Sequence, residues 1–190
     1  EQDHTRTAKA NDGGHRTAAV VSTGIGTVLV VEDVSMLRVV YKSMFQRCGL
    51  DVDEAADGQS GLEMLAKRRY DLVLTDINMP RKDGYAMTKE LRAQEESCAA
   101  KMSDGRPRHQ LVIMISANSL EVDQTRAFSS GADLFIEKPL YQENLIDKLG
   151  KYMHESRRGG VRHARRSAET VHSALLAAQR VSKLPHAARA

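Results

Sequence analysis

The chain has 190 residues, 41% of them hydrophobic and 28% charged, with no Trp, two cysteines and a formal net charge of +3. That length holds one domain with an adequate core plus tails, or at most two small domains. No apolar run approaches the roughly 18 residues of a membrane span, residues 1–26 lack the apolar centre of a signal peptide, and Cys48 and Cys98 form neither a disulfide framework nor a metal-ligand spacing, which together point to the cytoplasm.

The net charge hides a split. From residue 156 onward eight Lys/Arg stand against Glu169 alone, and residues 1–26 carry three of each sign, so the middle of the chain is acidic. An acidic folded unit with a basic tail is the better description.

Residues 1–26 are rich in Thr, Ala, Gly and charge without periodicity and read as disordered or a linker. Gly24-Ile25-Gly26 precedes its strand instead of following it, so it is not a dinucleotide loop. Thr27 to Val31 is an apolar strand running into the acid pair Glu32-Asp33. Leu37, Val40, Tyr41, Met44 and Phe45 then recur at helical spacing, and Gly49 supplies a stop. Val52 to Ala55 is a short second strand, Asp57-Gly58 a turn, and Leu62, Leu65 and Ala66 mark a second helix.

Leu72 to Leu74 leads to Asp76, with Pro80 soon after; an apolar run bounded by turn signals fits a strand buried on both faces. A third helix is predicted from about Tyr85 to Glu95. Residues 94–110, QEESCAAKMSDGRPRHQ, are polar and broken by Gly105 and Pro107, which reads as a loop extension or a lengthened third helix. A fourth strand ends at Ser116, Ser119 is placed to cap a fourth helix over Leu120 to Ser129, and a fifth strand over Asp133 to Ile136 delivers Lys138-Pro139. Leu145, Ile146, Leu149 and Tyr152 give the inner face of a fifth helix. Beyond it, the basic tail over 155–190 reads as solvated, with a weakly amphipathic short helix over 167–181 built on Val171, Ala174, Leu175 and Ala178. Five βα units in alternation predict a doubly wound α/β fold with helices on both faces of a parallel sheet.

Glu32-Asp33, Asp76-x-x-Met79-Pro80-x-x-Asp83-Gly84, Ser116-Ala117 and Lys138-Pro139, each set after an apolar strand, resemble the receiver domain of two-component response regulators. The resemblance covers about residues 27–154. It implies a flavodoxin-like (βα)5 sheet in the order 2-1-3-4-5, with flexible N- and C-terminal tails. It also implies a magnesium ion held by Asp33, Asp76 and the Asn78 backbone carbonyl, with Glu32 acting through water. Asp76 would accept a phosphoryl group from a phosphohistidine on a histidine kinase or phosphotransfer protein. Lys138, the Ser116 hydroxyl and the Ala117 backbone amide would hold the phosphoryl oxygens. Ser116 and Phe135 would be the switch residues, read by a downstream protein at the face of helix four, strand five and helix five.

The residues by themselves support this chemistry. Three carboxylates at neighbouring strand ends repel one another unless a cation sits between them, and magnesium suits a site with few carboxylates and open water positions. A carboxylate can attack phosphorus in line when charge on the equatorial oxygens is neutralised. The aspartyl phosphatase pattern Asp-x-Asp is broken, because Asn78 stands where its general acid would be. Slow self-dephosphorylation is therefore expected, not turnover, with Asn78 and Asn118 flanking the path of water.

Two other readings stay open: an interaction module that keeps the fold without phosphorylation, and a receiver whose tail binds nucleic acid by charge. No aromatic follows Tyr152 to stack a base. The absence of a recognisable output domain suggests the C-terminal receiver of a hybrid histidine kinase.

Overall fold

The computed structural model describes residues 26–99, 109–118, 120–155 and 162–182. Five strands, β1 (Thr27–Val31), β2 (Asp51–Ala55), β3 (Leu72–Asp76), β4 (Val112–Ser116) and β5 (Leu134–Glu137), alternate with α1 (Ser35–Arg47), α2 (Gly58–Lys67), α3 (Gly84–Ala99), α4 (Glu121–Ser129) and α5 (Gln142–Glu155). A sixth helix, α6, spans Arg162–Ser182. The sheet is parallel throughout, in the order β2-β1-β3-β4-β5. This is the doubly wound arrangement the alternation predicts.

The three central strands β1, β3 and β4 can be buried on both faces because they are largely apolar, and every residue of β3 and β4 is buried, whereas the edge strand β2 carries three acids and is only partly buried. Alternate residues serve opposite layers. Val28 and Val30 join Tyr41 and Phe45 of α1 and Leu145 and Leu149 of α5 on one face. Leu29, Val31 and Val73 join Leu62, Met87 and Leu91 on the other. Asp57 caps α2 through its side chain, and Gly49 (φ +76°) lets the chain turn back after α1.

The C-terminal region departs from the sequence reading. In place of a solvated tail with a short helix over 167–181, α6 begins earlier and is docked. Ala164, Ala168, Val171 and Leu175 have no exposure and share the core with Tyr41, Met44 and Leu149. Gln142 Nε2 donates to the Leu175 carbonyl at 3.0 Å, and Thr170 lies so close to Gly26 that a Cβ there would meet its methyl at 2.8 Å. The helix therefore packs against α5 and the sheet, and the small side chains of Ala164 and Ala168 let it sit close. The weak stripe on 167–181 underrated it, because alanine adds little to an amphipathic pattern yet allows close packing.

Two boundaries also shift. Gly26, expected in the linker, already belongs to the fold, since its carbonyl accepts from Asp51 N at 3.0 Å. The third helix continues past Glu95 to Ala99, so lengthening accounts for the first part of the 94–110 extension. The rest of that segment as far as residue 108, Ser119 and residues 1–25 lie outside the described residues. No described helix is long and apolar enough to cross a membrane.

Candidate functional site

Strand register assembles the site. Val31 of β1 is level with Thr75 of β3, so Glu32 emerges beside Asp76. Asp76 is level with Ile115 and Ser116 with Glu137, so Lys138 emerges on the far side of Ser116. All lie at the C-terminal edge of the sheet, where open α/β folds place their ligands.

One carboxylate oxygen from each of Glu32, Asp33 and Asp76 falls within 4.8 Å of the others. Glu32 is fully buried and Asp76 nearly so, while Asp33 is exposed. The Lys138 ammonium reaches into this cluster, donating to Glu32 Oε2 at 2.8 Å and lying 3.1 Å from Asp76 Oδ1. Asp76 Oδ1 also accepts from the Ile77 amide at 2.8 Å.

Burial pushes the Glu32 carboxyl above the usual carboxylate range and Asp76 adds to this, with the Lys138 hydrogen bond opposing. Burial works against the Lys138 ammonium, but the two carboxylates it touches more than offset that and raise its pKa above the ordinary lysine value. Tyr41 of α1 senses the same cluster: burial raises its phenol pKa, Lys138 counteracts, and Glu32 and Asp76 reinforce the rise.

Ser116 is buried at the end of β4, and its hydroxyl oxygen accepts from the Asn118 amide at 3.1 Å. Its carbonyl accepts from the Lys138 amide at 2.7 Å, which ties the two strand ends together. Lys138-Pro139 is a cis peptide bond. Ala117 and the Asn78 side chain are exposed. Phe135 is buried on the α4 side with Ile77, Tyr85 and Met114. The structure thus gathers Glu32, Asp33, Asp76 and Lys138 at one edge, with Ser116 joined through the backbone, and sets Phe135 a layer away.

Sequence reasoning missed three supports of this edge. Arg38, a turn into α1, donates from Nη1 to the Glu32 carbonyl at 2.6 Å and the Asp33 carbonyl at 2.9 Å, which holds the acid pair in place. Its spacing from that pair was the available signal. Gly84 must lack a side chain, because a Cβ there would lie 2.3 Å from the Asp76 carbonyl oxygen. The third is the ion pair of Arg81 with buried Asp57, for which adjacent sequence offers no signal.

The donor set suits a hard cation. Three carboxylates at a solvent-open edge, with one half-buried ammonium among them, match the few-carboxylate sites magnesium takes and no soft-metal pattern.

Comparison with known proteins agrees with this geometry. The model of the response regulator receiver domain family matches residues 28–150. The chain is 34% identical over 125 residues to the chemotaxis protein CheY-3 of Vibrio cholerae, covering 65% of this chain and 88% of that protein. It is 32% identical over 125 residues to the sensor protein EvgS of Escherichia coli, covering 66% of this chain but spanning only 9% of EvgS. Among solved structures it resembles the receiver domain of the sensor histidine kinase PA1611 of Pseudomonas aeruginosa, which has a magnesium ion coordinated in its active-site cleft. That likeness has 26% identity and a TM-score of 0.54, over 67% of this chain and 97% of that one.

Proposed function

The chain belongs to the family of response regulator receiver domains of two-component signalling, and from that premise we propose that it is a phosphoaspartate switch with Asp76 as acceptor. The observation that carries the proposal is the meeting of three carboxylates within 4.8 Å, one of them 3.1 Å from the Lys138 ammonium.

Asp33, Asp76 and the Asn78 carbonyl would hold magnesium directly. Glu32 acts through water, a role that suits a carboxylate already engaged by Lys138. When bound, the ion supplies positive charge opposite the phosphoryl oxygens. An Asp76 carboxylate oxygen attacks phosphorus in line, the phosphorus–nitrogen bond of a phosphohistidine breaks, and the imidazole of the donor leaves. Lys138 turns from Asp76 to an equatorial oxygen, and the Ser116 hydroxyl and Ala117 amide donate to another. The Ser116 hydroxyl oxygen accepts from the Asn118 amide and keeps its proton free to donate, and its shift towards the phosphoryl group starts the switch.

Phe135 carries the change outward by packing, having no hydroxyl to relocate. It lines a cleft with Gln124 of α4, Glu137 at the end of β5, and Lys148 of α5. Val122 and Phe128 of α4 and Tyr141, just before α5, are exposed apolar residues that a partner-binding face of α4, β5 and α5 would use. The phosphodonor is a histidine kinase or a phosphotransfer protein, which places the reaction in the cytoplasm. The match to 9% of the sensor protein EvgS supports a receiver carried within a longer sensor protein, which we read as a hybrid kinase.

Incubation with acetyl phosphate and magnesium tests the proposal. It should yield an acid-stable, hydroxylamine-labile phosphate that is absent in Asp76→Asn and without magnesium. A phosphate that persists in Asp76→Asn refutes Asp76 as the acceptor, and no phosphate in the parent protein refutes the switch and leaves a receiver fold serving as an interaction module.

A further inference from the structure

The loop from Ile77 to Gly84 leaves β3 at Asp76 and carries Asn78. At its base the Gly84 amide donates to the Ile77 carbonyl at 2.9 Å, and Met79 is buried in the core. Its tip is unusual. The Lys82 amide donates to the Pro80 carbonyl at 2.7 Å across Arg81, whose φ is +64°. A three-residue turn with positive φ at a non-glycine centre is rare and strained, and it persists only where the surroundings over-determine it.

What holds the tip is the β2–α2 turn. Gly58 donates its amide to the Lys82 carbonyl at 3.1 Å, and a Cβ on Gly58 would lie 2.7 Å from that oxygen, so glycine permits the approach. Beside it the Arg81 guanidinium pairs with Asp57. Asp57 has no exposure. Its Oδ1 accepts from the Gln59 and Ser60 amides at 2.9 and 3.0 Å, and its Oδ2 from the Ser60 hydroxyl at 3.0 Å and from Arg81.

Capping α2 does not require a charge, since asparagine and serine cap as well as aspartate. A fully buried carboxylate is costly unless a cation answers it. The cation here comes from the exposed side of a different loop, and the result is to fix the strained tip.

We infer that Asp57 and Arg81 are a positioning pair: their ion pair sets the loop that presents Asn78, and so sets the affinity of the Glu32-Asp33-Asp76 site for a divalent cation. This rests on the metal reading of that site. Neither residue touches the ion. They act by narrowing the positions open to a loop carbonyl, which matters for magnesium because it demands near-ideal octahedral geometry.

Three substitutions separate the ion pair from the cap and from the backbone. Asp57→Asn keeps the cap and removes the charge. Arg81→Gly keeps positive φ without strain and removes the cation. Arg81→Lys keeps a cation. Magnesium affinity of the whole chain is measured by calorimetric titration, with thermal unfolding in EDTA as the check on folding.

Asp57→Asn and Arg81→Gly should bind magnesium about tenfold more weakly, and Arg81→Lys should recover most of the loss. Unchanged affinity in Arg81→Gly, or no recovery in Arg81→Lys, overturns the inference; should Asp57→Asn fail to fold, the two Arg81 variants decide it. A parent protein with no magnesium binding that Asp33→Asn removes would instead bring down the metal reading, and the inference with it.

Discussion

Neutralising Asp33 should make the ion-free protein more stable and the magnesium-loaded protein less so. Asp33 has a carboxylate oxygen within 4.8 Å of those of Glu32 and Asp76, and neither ion pair of Lys138 involves it. Two unit charges at that separation repel by about 3.5 kcal/mol at an effective dielectric near 20 and by about 0.9 kcal/mol in bulk water. Asp33 is exposed, so the lower end applies, and the nearby ammonium offsets part of it. Asp33→Asn should therefore gain roughly 1 kcal/mol in EDTA. The parent protein should gain about 2.7 kcal/mol from magnesium at a hundredfold excess over its Kd, a gain the variant forfeits. Four urea unfolding curves, both proteins with EDTA and with magnesium, should show the order of midpoints reversing. A variant destabilised in EDTA, or one that gains as much from magnesium as the parent, would refute the reasoning.

Gly84→Ala should cost about 1–3 kcal/mol by urea unfolding, because its methyl would press on the Asp76 carbonyl; a midpoint equal to the parent's would contradict that approach. Leu175→Ala should cost about 2–4 kcal/mol, since Leu175 is the fully buried leucine of α6, and should speed amide exchange along the helix. If α6 is a solvated tail, neither measurement will move. Burial also lowers the pKa of His172 below its ordinary 6.5, with a hydrogen bond to the Ile146 backbone opposing. The docked helix thus favours the neutral ring. At pH 8 docking carries no proton penalty. As pH falls through 6.5 the undocked helix takes up the proton more readily, so docking weakens until the depressed pKa is passed. Amide exchange in α6 compared at pH 8 and pH 5, after correction for intrinsic rates, should show this weakening in the parent protein and not in His172→Gln.

Four of the five strands were legible because each is a short apolar run whose last residues change abruptly to acid, hydroxyl or ammonium, as at Val31-Glu32-Asp33 and Ile136-Glu137-Lys138, while the acidic β2 was legible from its place between α1 and the Asp57-Gly58 turn. A parallel sheet brings such endings to one edge whatever the connections between them. The acids and the lysine that meet at this edge could therefore be picked out as candidates from local pattern. Arg38 was within reach of the same reasoning, since a helix returns its first-turn side chains towards the preceding loop.

The docking of α6 and the Asp57–Arg81 pair were decided only by tertiary structure. Ala164 and Ala168 are too small to declare a buried face, and their burial depends on a surface contributed by α1, α5 and the sheet. Asp57 and Arg81 are separated in sequence by all of α2 and β3, and each alone has an ordinary local reading, a cap and an exposed arginine. What joins them is the close approach of two loops at the sheet edge, and the burial of one carboxylate there is what demands the distant cation.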